Sequence, residues 1–177
     1  LATRHYMQLR TPPVEVANGK VKQNIHSGDD IDLNKIPVPR WHREDGGRYI
    51  NTYQATVTMD PDTGVHNLGI YRGMIGQKGT LPVLLWRAQN WGVHFQKWEE
   101  RGQKMPVAHV YGWEPAMGFC ASAPVPTGVC EYDVMGAMRG EPVPLVKCET
   151  SDLMVPADAE MVIEGFIDSD PATFEME

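Results

Sequence analysis

The sequence predicts an α+β domain whose antiparallel strands form a barrel or a strongly curled sheet, with a few helices beside it. Residues 48–59 alternate between two sets of side chains, as a strand with two different faces does. The segment Asp60-Pro-Asp-Thr-Gly64 then supplies a tight turn, with proline at its second position and glycine at its end. Two short helical patterns lie among further strand-like runs, and this mixture is typical of an α+β domain.

The first half of the chain is predicted to be an extended lead-in followed by a β-hairpin. Residues 1–23 are polar and contain Pro12-Pro13, which indicates an extended lead-in or linker. The hairpin is predicted to cover residues 48–75, and its second strand begins at Val65, directly after the turn. A further strand is predicted for residues 81–86.

The second half is predicted to contain two helices and three more strands. Residues 95–101 form a short helical pattern with aromatic side chains on one face. A longer helix is predicted for residues 129–139, because Thr127 can serve as its N-cap and Gly140 follows its last turn. Strands are predicted at residues 106–111, near 143–148 and near 161–167.

The composition argues against several classes of protein. With 177 residues, of which 42% are hydrophobic and 22% charged, the chain is expected to fold as one globular domain. A formal net charge of −7 argues against nucleic acid or an anionic membrane as the main partner. No apolar run reaches the roughly 20 residues that a membrane-spanning helix needs.

The start of the chain and its cysteines give two further expectations. The chain begins with Leu1 instead of methionine and shows no signal peptide, so it is expected to start inside a longer polypeptide. Cys120, Cys130 and Cys148 are odd in number and lack a zinc-binding spacing, which favours reduced thiols and a cytoplasmic location. A catalytic cysteine is the less favoured alternative, because it would need a histidine that the fold brings close.

The start of the helix predicted for residues 129–139 is a candidate phosphate and metal site. The N-terminus of a helix carries partial positive charge and free N–H groups, which together bind anions. Glu131 and Asp133 lie in or near the first turn, and a carboxylate beside a bound anion indicates that a cation binds there too. The alternative, which the residues alone favour, is an acidic first turn that only stabilises its helix.

A second candidate ligand site is the segment of residues 66–74. Gly69 and Gly73 within a strand indicate a bulge or the close approach of a ligand to the backbone. Asn67 and Arg72 are five positions apart and would face opposite sides of a regular strand, unless a bulge at Gly69 redirects one of them. The alternative is an ordinary strand with a surface arginine.

A third segment, Arg87-Ala-Gln-Asn-Trp91, ends the strand predicted for residues 81–86. Its polar side chains stand between two tryptophans, so it is either a polar strand end or the mouth of a ligand pocket with aromatic walls. Four histidines lack the spacing of a zinc site, and each is expected to be a surface residue or to be satisfied by hydrogen bonds: His42, His66, His94 and His109.

Together these motifs resemble the UbiD family of prenylated-FMN-dependent decarboxylases. The resemblance covers most of residues 24–177 and leaves residues 1–23 as the lead-in. It implies a split β-barrel similar to flavin reductases, with a few flanking helices, and a chain that is the central flavin-binding domain without the flanking domains of complete enzymes. The segments that carry the resemblance are, in order, Pro37-Val-Pro-Arg-Trp-His-Arg-Glu-Asp-Gly-Gly-Arg-Tyr49, Asn67-Leu-Gly-Ile-Tyr-Arg-Gly-Met74, residues 126–133, residues 140–156 and residues 159–165.

The resemblance implies a site for prenylated FMN, Mn²⁺ and K⁺. Asn67 and Glu131 match two of the family's metal ligands, whereas Asn90 stands where the family has a histidine. An amide oxygen is a weaker Mn²⁺ ligand than imidazole, so either metal binding is looser here or Asn90 contacts the phosphate directly. Residues 121–123 resemble the loop whose backbone carbonyls hold K⁺. The implied cofactor-binding residues are Asn67, Leu68, Gly69, Ile70, Tyr71, Arg72, Gln89, Asn90, Ser122, Ala123 and Glu131.

The resemblance also implies the catalytic groups and the reaction. Arg72 matches the family's arginine and Glu177 matches the first of its two glutamates, while the second would lie beyond the end of this chain. The implied reaction is the non-oxidative, reversible decarboxylation of an aromatic or α,β-unsaturated acid. The complete protein is expected to be a homo-oligomer that binds neither nucleic acid nor membrane. One alternative is an isolated flavin-binding domain without turnover, and another is an FMN reductase, for which no nicotinamide-binding feature is present.

Overall fold

The computed structural model describes residues 9–77 and 79–173, and in these ranges the fold mixes short strands with helices, which confirms the α+β class. The strands of the described residues form three separate sheets. The strands are β1 Val14–Glu15, β2 Tyr49–Asn51, β3 Ala55–Met59, β4 His66–Gly69, β5 Gly73–Met74, β6 Met105–Tyr111, β7 Pro144–Lys147, β8 Met154–Pro156 and β9 Met161–Ile167. The helices are α1 Asn90–Glu100, α2 Pro115–Ser122 and α3 Glu131–Arg139.

The largest sheet is antiparallel and has the strand order β4-β3-β6-β9. Its first two strands form the predicted hairpin, in which Thr58 pairs with Asn67. The N–H of Asp60 donates to the Val65 carbonyl at 2.9 Å, which closes the predicted turn. The strands predicted at residues 106–111 and near residues 161–167 are confirmed as β6 and β9.

The prediction of one continuous hairpin over residues 48–75 is wrong, because both arms are interrupted. β2 and β5 form a separate two-stranded sheet in which Asn51 pairs with Gly73. The gap lies at Gln54, whose side chain is fully buried and donates its amide N–H to the Tyr71 carbonyl at 2.6 Å. A side-chain hydrogen bond therefore replaces the backbone ladder across the gap, and an alternating pattern cannot reveal this.

The strand predicted for residues 81–86 does not form. Val83 makes an isolated bridge with Gly73, and the N–H of Met74 donates to the Pro82 carbonyl at 3.0 Å. Pro82 has no N–H to donate, so a regular ladder cannot continue through it.

The two predicted helices are present as α1 and α3, but both have different starts. α1 begins at Asn90, well before the predicted start. α3 begins at Glu131, and the prediction of Thr127 as N-cap is wrong, because Cys130 holds that position. The Thr127 hydroxyl instead donates to Asn90 Oδ1 at 3.3 Å. Gly140 ends α3 as predicted, with a φ of 79° in the left-handed region.

The sequence does not predict α2. Its residues, Pro115-Ala-Met-Gly-Phe-Cys-Ala-Ser122, are apolar on nearly every side, so no helical periodicity is visible. Pro115 occupies the first turn, where its missing N–H would have no partner within the helix. Gly118 lets the Tyr53 side chain lie close to α2, because a Cβ at Gly118 would lie 2.3 Å from the Tyr53 hydroxyl oxygen.

The third sheet has the order β1-β7-β8 and joins the N-terminal segment to the rest of the fold. β1 lies within the predicted lead-in and pairs in parallel with β7, where the N–H of Val14 donates to the Val143 carbonyl at 2.9 Å. β7 confirms the strand predicted near residues 143–148, whereas the three residues of β8 are too few to show an alternation.

The hydrophobic core is formed by residues of the large sheet, α2, α3 and the third sheet. All three helices contact β4. β4 is therefore the strand around which the helices are arranged, and it carries Asn67 and Leu68. Fully buried members of the core include Val57, Val110, Met117, Tyr132 and Met135.

Candidate functional site

The predicted metal ligands lie on β4 and at the first residues of two helices. Asn67 is in β4, Asn90 begins α1, and Glu131 begins α3. The start of α3 is joined to β4, because the N–H of Leu68 donates to Glu131 Oε2 at 2.9 Å. The start of α1 is joined to β4 through Tyr71, which contacts Asn67 of β4 and Trp91 of α1. The fold thus brings together three segments that are far apart in the sequence.

Glu131 is the buried acid of this region, with only 2% of its surface exposed. Burial raises the pKa of its carboxyl group from 4.5 to about 7, although the backbone N–H groups of Leu68 and of Glu131 itself lower it. A cation bound beside this carboxylate would favour its ionised form and offset the cost of burial.

Tyr71 joins Asn67 to the start of α1. Asn67 is 5% exposed, and its side-chain nitrogen donates to the Tyr71 hydroxyl at 3.3 Å. The Tyr71 ring stacks on Trp91, with ring centroids 4.0 Å apart and planes 3° apart. Trp91 is fully buried in the first turn of α1 and donates its indole N–H to Gln89 Oε1 at 3.1 Å. These contacts form a continuous path from β4 to Gln89 and Asn90.

The N-terminus of α1 carries two of the predicted cofactor-binding residues. Gln89 holds the N-cap position and is exposed, and its side chain makes no hydrogen bond to the first-turn N–H groups. Asn90 is half-buried and accepts the Thr127 hydroxyl at 3.3 Å, which ties the loop before α3 to this helix. Free N–H groups at a helix start favour an anion such as a phosphate.

The predicted segment of residues 68–72 leaves β4 at Gly69. The predicted alternative of a bulge there is wrong, because Gly69 ends β4 in regular register, paired with Thr56 of β3. A Cβ on Gly69 would lie 2.3 Å from the Tyr71 hydroxyl oxygen, so this glycine allows the ring to fold back over the strand end. Leu68 is buried, Ile70 is half-buried, and Arg72 is exposed.

Ser122 and Ala123 lie at the end of α2. The Ser122 hydroxyl donates to the Gly118 carbonyl at 2.7 Å, and the N–H of Ala123 donates to the Cys120 carbonyl at 3.2 Å. The Ala123 carbonyl accepts the N–H of Val125 at 2.8 Å and keeps a second lone pair. Glu177, the second predicted catalytic residue, lies outside the described residues.

Within residues 9–77 and 79–173, no group of three or more His, Cys, Asp or Glu side chains is arranged to hold a metal ion. The predicted metal set contains one carboxylate and two amides, so it remains a prediction. The buried His94 and His109 and the half-buried His66 make hydrogen bonds instead. His109 Nδ1 lies 2.9 Å from Thr56 Oγ1, His94 Nδ1 lies 3.0 Å from Thr58 Oγ1, and His66 Nε2 accepts the N–H of Met154 at 3.1 Å.

Sequence reasoning missed two residues that shape this region. Gln54 holds the Tyr71 carbonyl, and its only signal in the sequence is a polar residue just before an apolar strand. Thr127 binds Asn90, but the sequence offers it as a helix cap. In both cases the partner is distant in the chain, so no local pattern could identify the contact.

Among the described residues, no helix combines the length and the apolar character needed to cross a membrane.

Comparisons with known proteins agree with one another. Residues 13–176 match UbiD, the 3-octaprenyl-4-hydroxybenzoate carboxy-lyase Rift-related domain. The chain is 39% identical over 163 residues to ferulic acid decarboxylase 1 of Candida dubliniensis, covering 90% of this chain and 32% of that protein. It is 36% identical over 163 residues to pyrrole-2-carboxylic acid decarboxylase of Pseudomonas aeruginosa, covering 92% of this chain and 33% of that protein.

A similar structure has also been solved. The evolved dimeric form of the UbiD-class enzyme HmfF from Pelotomaculum thermopropionicum, in complex with prFMN, matches with a TM-score of 0.86 and 34% sequence identity. The match covers 92% of this chain and 38% of that chain. The present chain spans about a third of the length of the curated relatives that it matches.

Proposed function

The chain belongs to the UbiD family, and from this premise we propose that it is the prenylated-FMN-binding domain of a non-oxidative decarboxylase. The observation that carries the proposal is the family match over residues 13–176, supported by the likeness to a structure that contains prFMN. The complete protein would catalyse the reversible decarboxylation of an aromatic or α,β-unsaturated acid. Its relatives include decarboxylases named for ferulic acid and for pyrrole-2-carboxylic acid, which supports this substrate class.

The proposal also covers the domain architecture, the oligomeric state and the cellular location of the protein. We propose that residues 24–177 correspond to the flavin-binding domain and its sheets to a split β-barrel, and that the predicted lead-in joins this domain through the pairing of β1 with β7. The complete protein is a homo-oligomer, a feature supported by the dimeric form among its structural relatives. Cys120, Cys130 and Cys148 are free thiols, which supports the proposed cytoplasmic location.

The side chains at β4, α1 and α3 fit a divalent cation beside a phosphate. Asn67 and Asn90 offer amide oxygens and Glu131 offers a carboxylate, and hard cations such as Mn²⁺ accept oxygen ligands of this kind. The deep burial of Glu131 supports the assignment, because a bound cation would offset the cost of burying an ionised carboxylate. The first-turn N–H groups of α1 would face the phosphate, and the carbonyls of Ser122 and Ala123 would hold K⁺.

Arg72 is proposed to orient the substrate carboxylate, since a guanidinium can hold a carboxylate through two parallel hydrogen bonds. The preceding carbonyl, that of Tyr71, is held by the buried Gln54, so the backbone next to Arg72 is fixed. Glu177 is proposed as the first of the two glutamates in the catalytic network, and a glutamate of this network would return a proton to the carbon that loses CO₂. The prenylated flavin, when bound, supplies the electron sink for the carbanion that loss of CO₂ would leave.

The first test is mass spectrometry of the small molecules released from the purified complete protein, made in a host that synthesises prenylated FMN. We expect prenylated FMN in the protein, and decarboxylation of at least one aromatic or α,β-unsaturated acid, with hydrogen exchange between substrate and solvent. The same measurement on the 177-residue chain separates this proposal from a flavin-binding domain without turnover. Absence of the cofactor from the complete protein would overturn the proposal.

A variant at Arg72 tests its role in the reaction. Arg72→Ala is expected to lower kcat/KM by about 100-fold, because the carboxylate loses its orientation. The matched control is Arg43→Ala, since Arg43 is an almost fully exposed arginine that pairs with Glu44 at 3.4 Å. Equal activity of the two variants would contradict the assignment of Arg72.

A further inference from the structure

Tyr71 lies where the end of β4, the start of α1 and the approach to β5 meet. Its ring stacks on Trp91 at a centroid distance of 4.0 Å. The ring also covers Gly69, whose missing Cβ leaves room for the phenol oxygen. Its backbone carbonyl accepts the side-chain N–H of the fully buried Gln54 at 2.6 Å. The ring and the backbone of Tyr71 are therefore both fixed before any ligand binds.

The Tyr71 hydroxyl fixes the orientation of the Asn67 side chain. Asn67 Nδ2 donates to the Tyr71 oxygen at 3.3 Å, and Asn67 is 95% shielded from solvent, so few other donors or acceptors compete. The nitrogen and oxygen of a carboxamide lie on opposite sides of one carbon atom. A hydrogen bond that holds the nitrogen toward Tyr71 therefore directs Oδ1 away from it.

The hydroxyl itself is poorly suited to bind a cation directly. The Tyr71 oxygen already accepts the side-chain N–H of Asn67 at 3.3 Å, and its ring is held against Trp91. A phenol oxygen that is occupied in this way is a poorer cation ligand than a carboxamide or carboxylate oxygen. Its contribution to a cation site would pass through Asn67.

We infer that Tyr71 is a positioning residue that orients the Asn67 carboxamide so that Oδ1 faces the divalent cation. The inference rests on the proposed function, because the cation belongs to the flavin-phosphate site. Partners that orient the ligands of a metal ion typically contribute tenfold or more to metal affinity. Tyr71 would have this role through a hydroxyl held by stacking on Trp91.

The test is Tyr71→Phe in the complete protein, which keeps the ring stack and removes only the hydroxyl. The dissociation constant for Mn²⁺ is measured in the presence of FMN by electron paramagnetic resonance of the free ion. We expect it to rise about tenfold in Tyr71→Phe. The matched control is Tyr53→Phe, because the exposed Tyr53 ring also stacks on a tryptophan, Trp113, at 5.3 Å. An affinity for Mn²⁺ that is the same in Tyr71→Phe as in the control would overturn the inference.

A second substitution separates orientation from packing. Asn67→Asp replaces the carboxamide with a carboxylate, whose two equivalent oxygens need no orientation. In the Asn67→Asp background, Tyr71→Phe is therefore expected to change the Mn²⁺ affinity by less than about threefold. If Tyr71→Phe weakens Mn²⁺ binding by the same factor in both backgrounds, the hydroxyl acts only through packing and the inference fails.

A measurement without metal distinguishes failure of the inference from failure of the proposed function. The side-chain amide signal of Asn67, identified by its loss in Asn67→Asp, is followed by nuclear magnetic resonance in asparagine-labelled protein. We expect it to shift in Tyr71→Phe and to stay in place in Tyr53→Phe. If the signal does not shift and Mn²⁺ still binds, the inference alone is overturned. If the native protein binds no Mn²⁺ with FMN, the proposed metal site falls and the inference falls with it.

Discussion

Glu131 shows how a single residue can make the stability of the metal-free chain depend on pH. Its carboxyl group has a pKa of about 7 in the fold, mainly because of burial, against 4.5 when unfolded. Between these values the folded state binds more protons than the unfolded state, so stability falls as pH rises from 4.5 to 7. The loss at pH 8 is expected to be about 3 kcal/mol.

The substitution Glu131→Gln tests this expectation. Glutamine keeps a carbonyl oxygen that can accept the N–H of Leu68 but carries no charge at any pH. In a chelating buffer we expect the variant to be about 2–3 kcal/mol more stable than the native chain at pH 8, and equally stable at pH 4.5. Urea unfolding at the two pH values measures this, with the exposed Glu15→Gln as control. A variant that is less stable at both pH values would contradict the prediction.

At the scale of elements, the end of β4 depends on one glycine. A Cβ at Gly69 would lie within 2.6 Å of ring atoms of Tyr71, and that ring cannot easily move because Trp91 and Gln54 hold the residue. Gly69→Ala is therefore expected to destabilise the chain by about 1–3 kcal/mol. The measurement is the free energy of unfolding in urea.

The control for Gly69→Ala is a glycine in another strand. Gly165 lies in β9, where an added Cβ would meet nothing within 4 Å, so Gly165→Ala is expected to change stability by less than about 1 kcal/mol. The double variant Gly69→Ala/Tyr71→Ala removes the ring that causes the clash, so its cost should be smaller than the sum of the two single costs. Simple additivity would show that the ring is not the cause.

The same elements show what the sequence can and cannot predict. The hairpin turn at Asp60–Gly64 and the end of α3 at Gly140 were predictable, because proline and glycine determine backbone geometry locally. The family motifs predict Asn67 and Glu131 as metal ligands, and the structure joins their segments through the hydrogen bond from the N–H of Leu68 to Glu131. The interruption of the hairpin and the ring stack of Tyr71 were not predictable, because each depends on partners distant in sequence.

At the scale of the whole molecule, two histidines link sheets to one another and make the fold sensitive to acid. His66 accepts the N–H of Met154 in β8, and His109 Nδ1 lies 3.2 Å from Asn51 Nδ2 in β2. Burial lowers the pKa of His66 and of His109 to about 4 and also lowers that of His94. A neutral buried histidine contributes stability that is complete above the unfolded value of 6.5 and is lost as pH falls toward 4. For His66 and His109 the loss is about 3 kcal/mol each.

These histidines and Glu131 act in opposite directions over nearly the same pH range, and the histidines should prevail. Two groups that each lose about 3 kcal/mol on acidification outweigh one carboxyl group that gains a similar amount. We therefore expect the metal-free chain to be less stable at pH 4 than at pH 7 in urea unfolding. In His109→Gln the difference should shrink by about 3 kcal/mol, which is most of it, and the exposed His26→Gln is the control. A native chain that is more stable at pH 4 would show that Glu131, and not the histidines, dominates its response to acid.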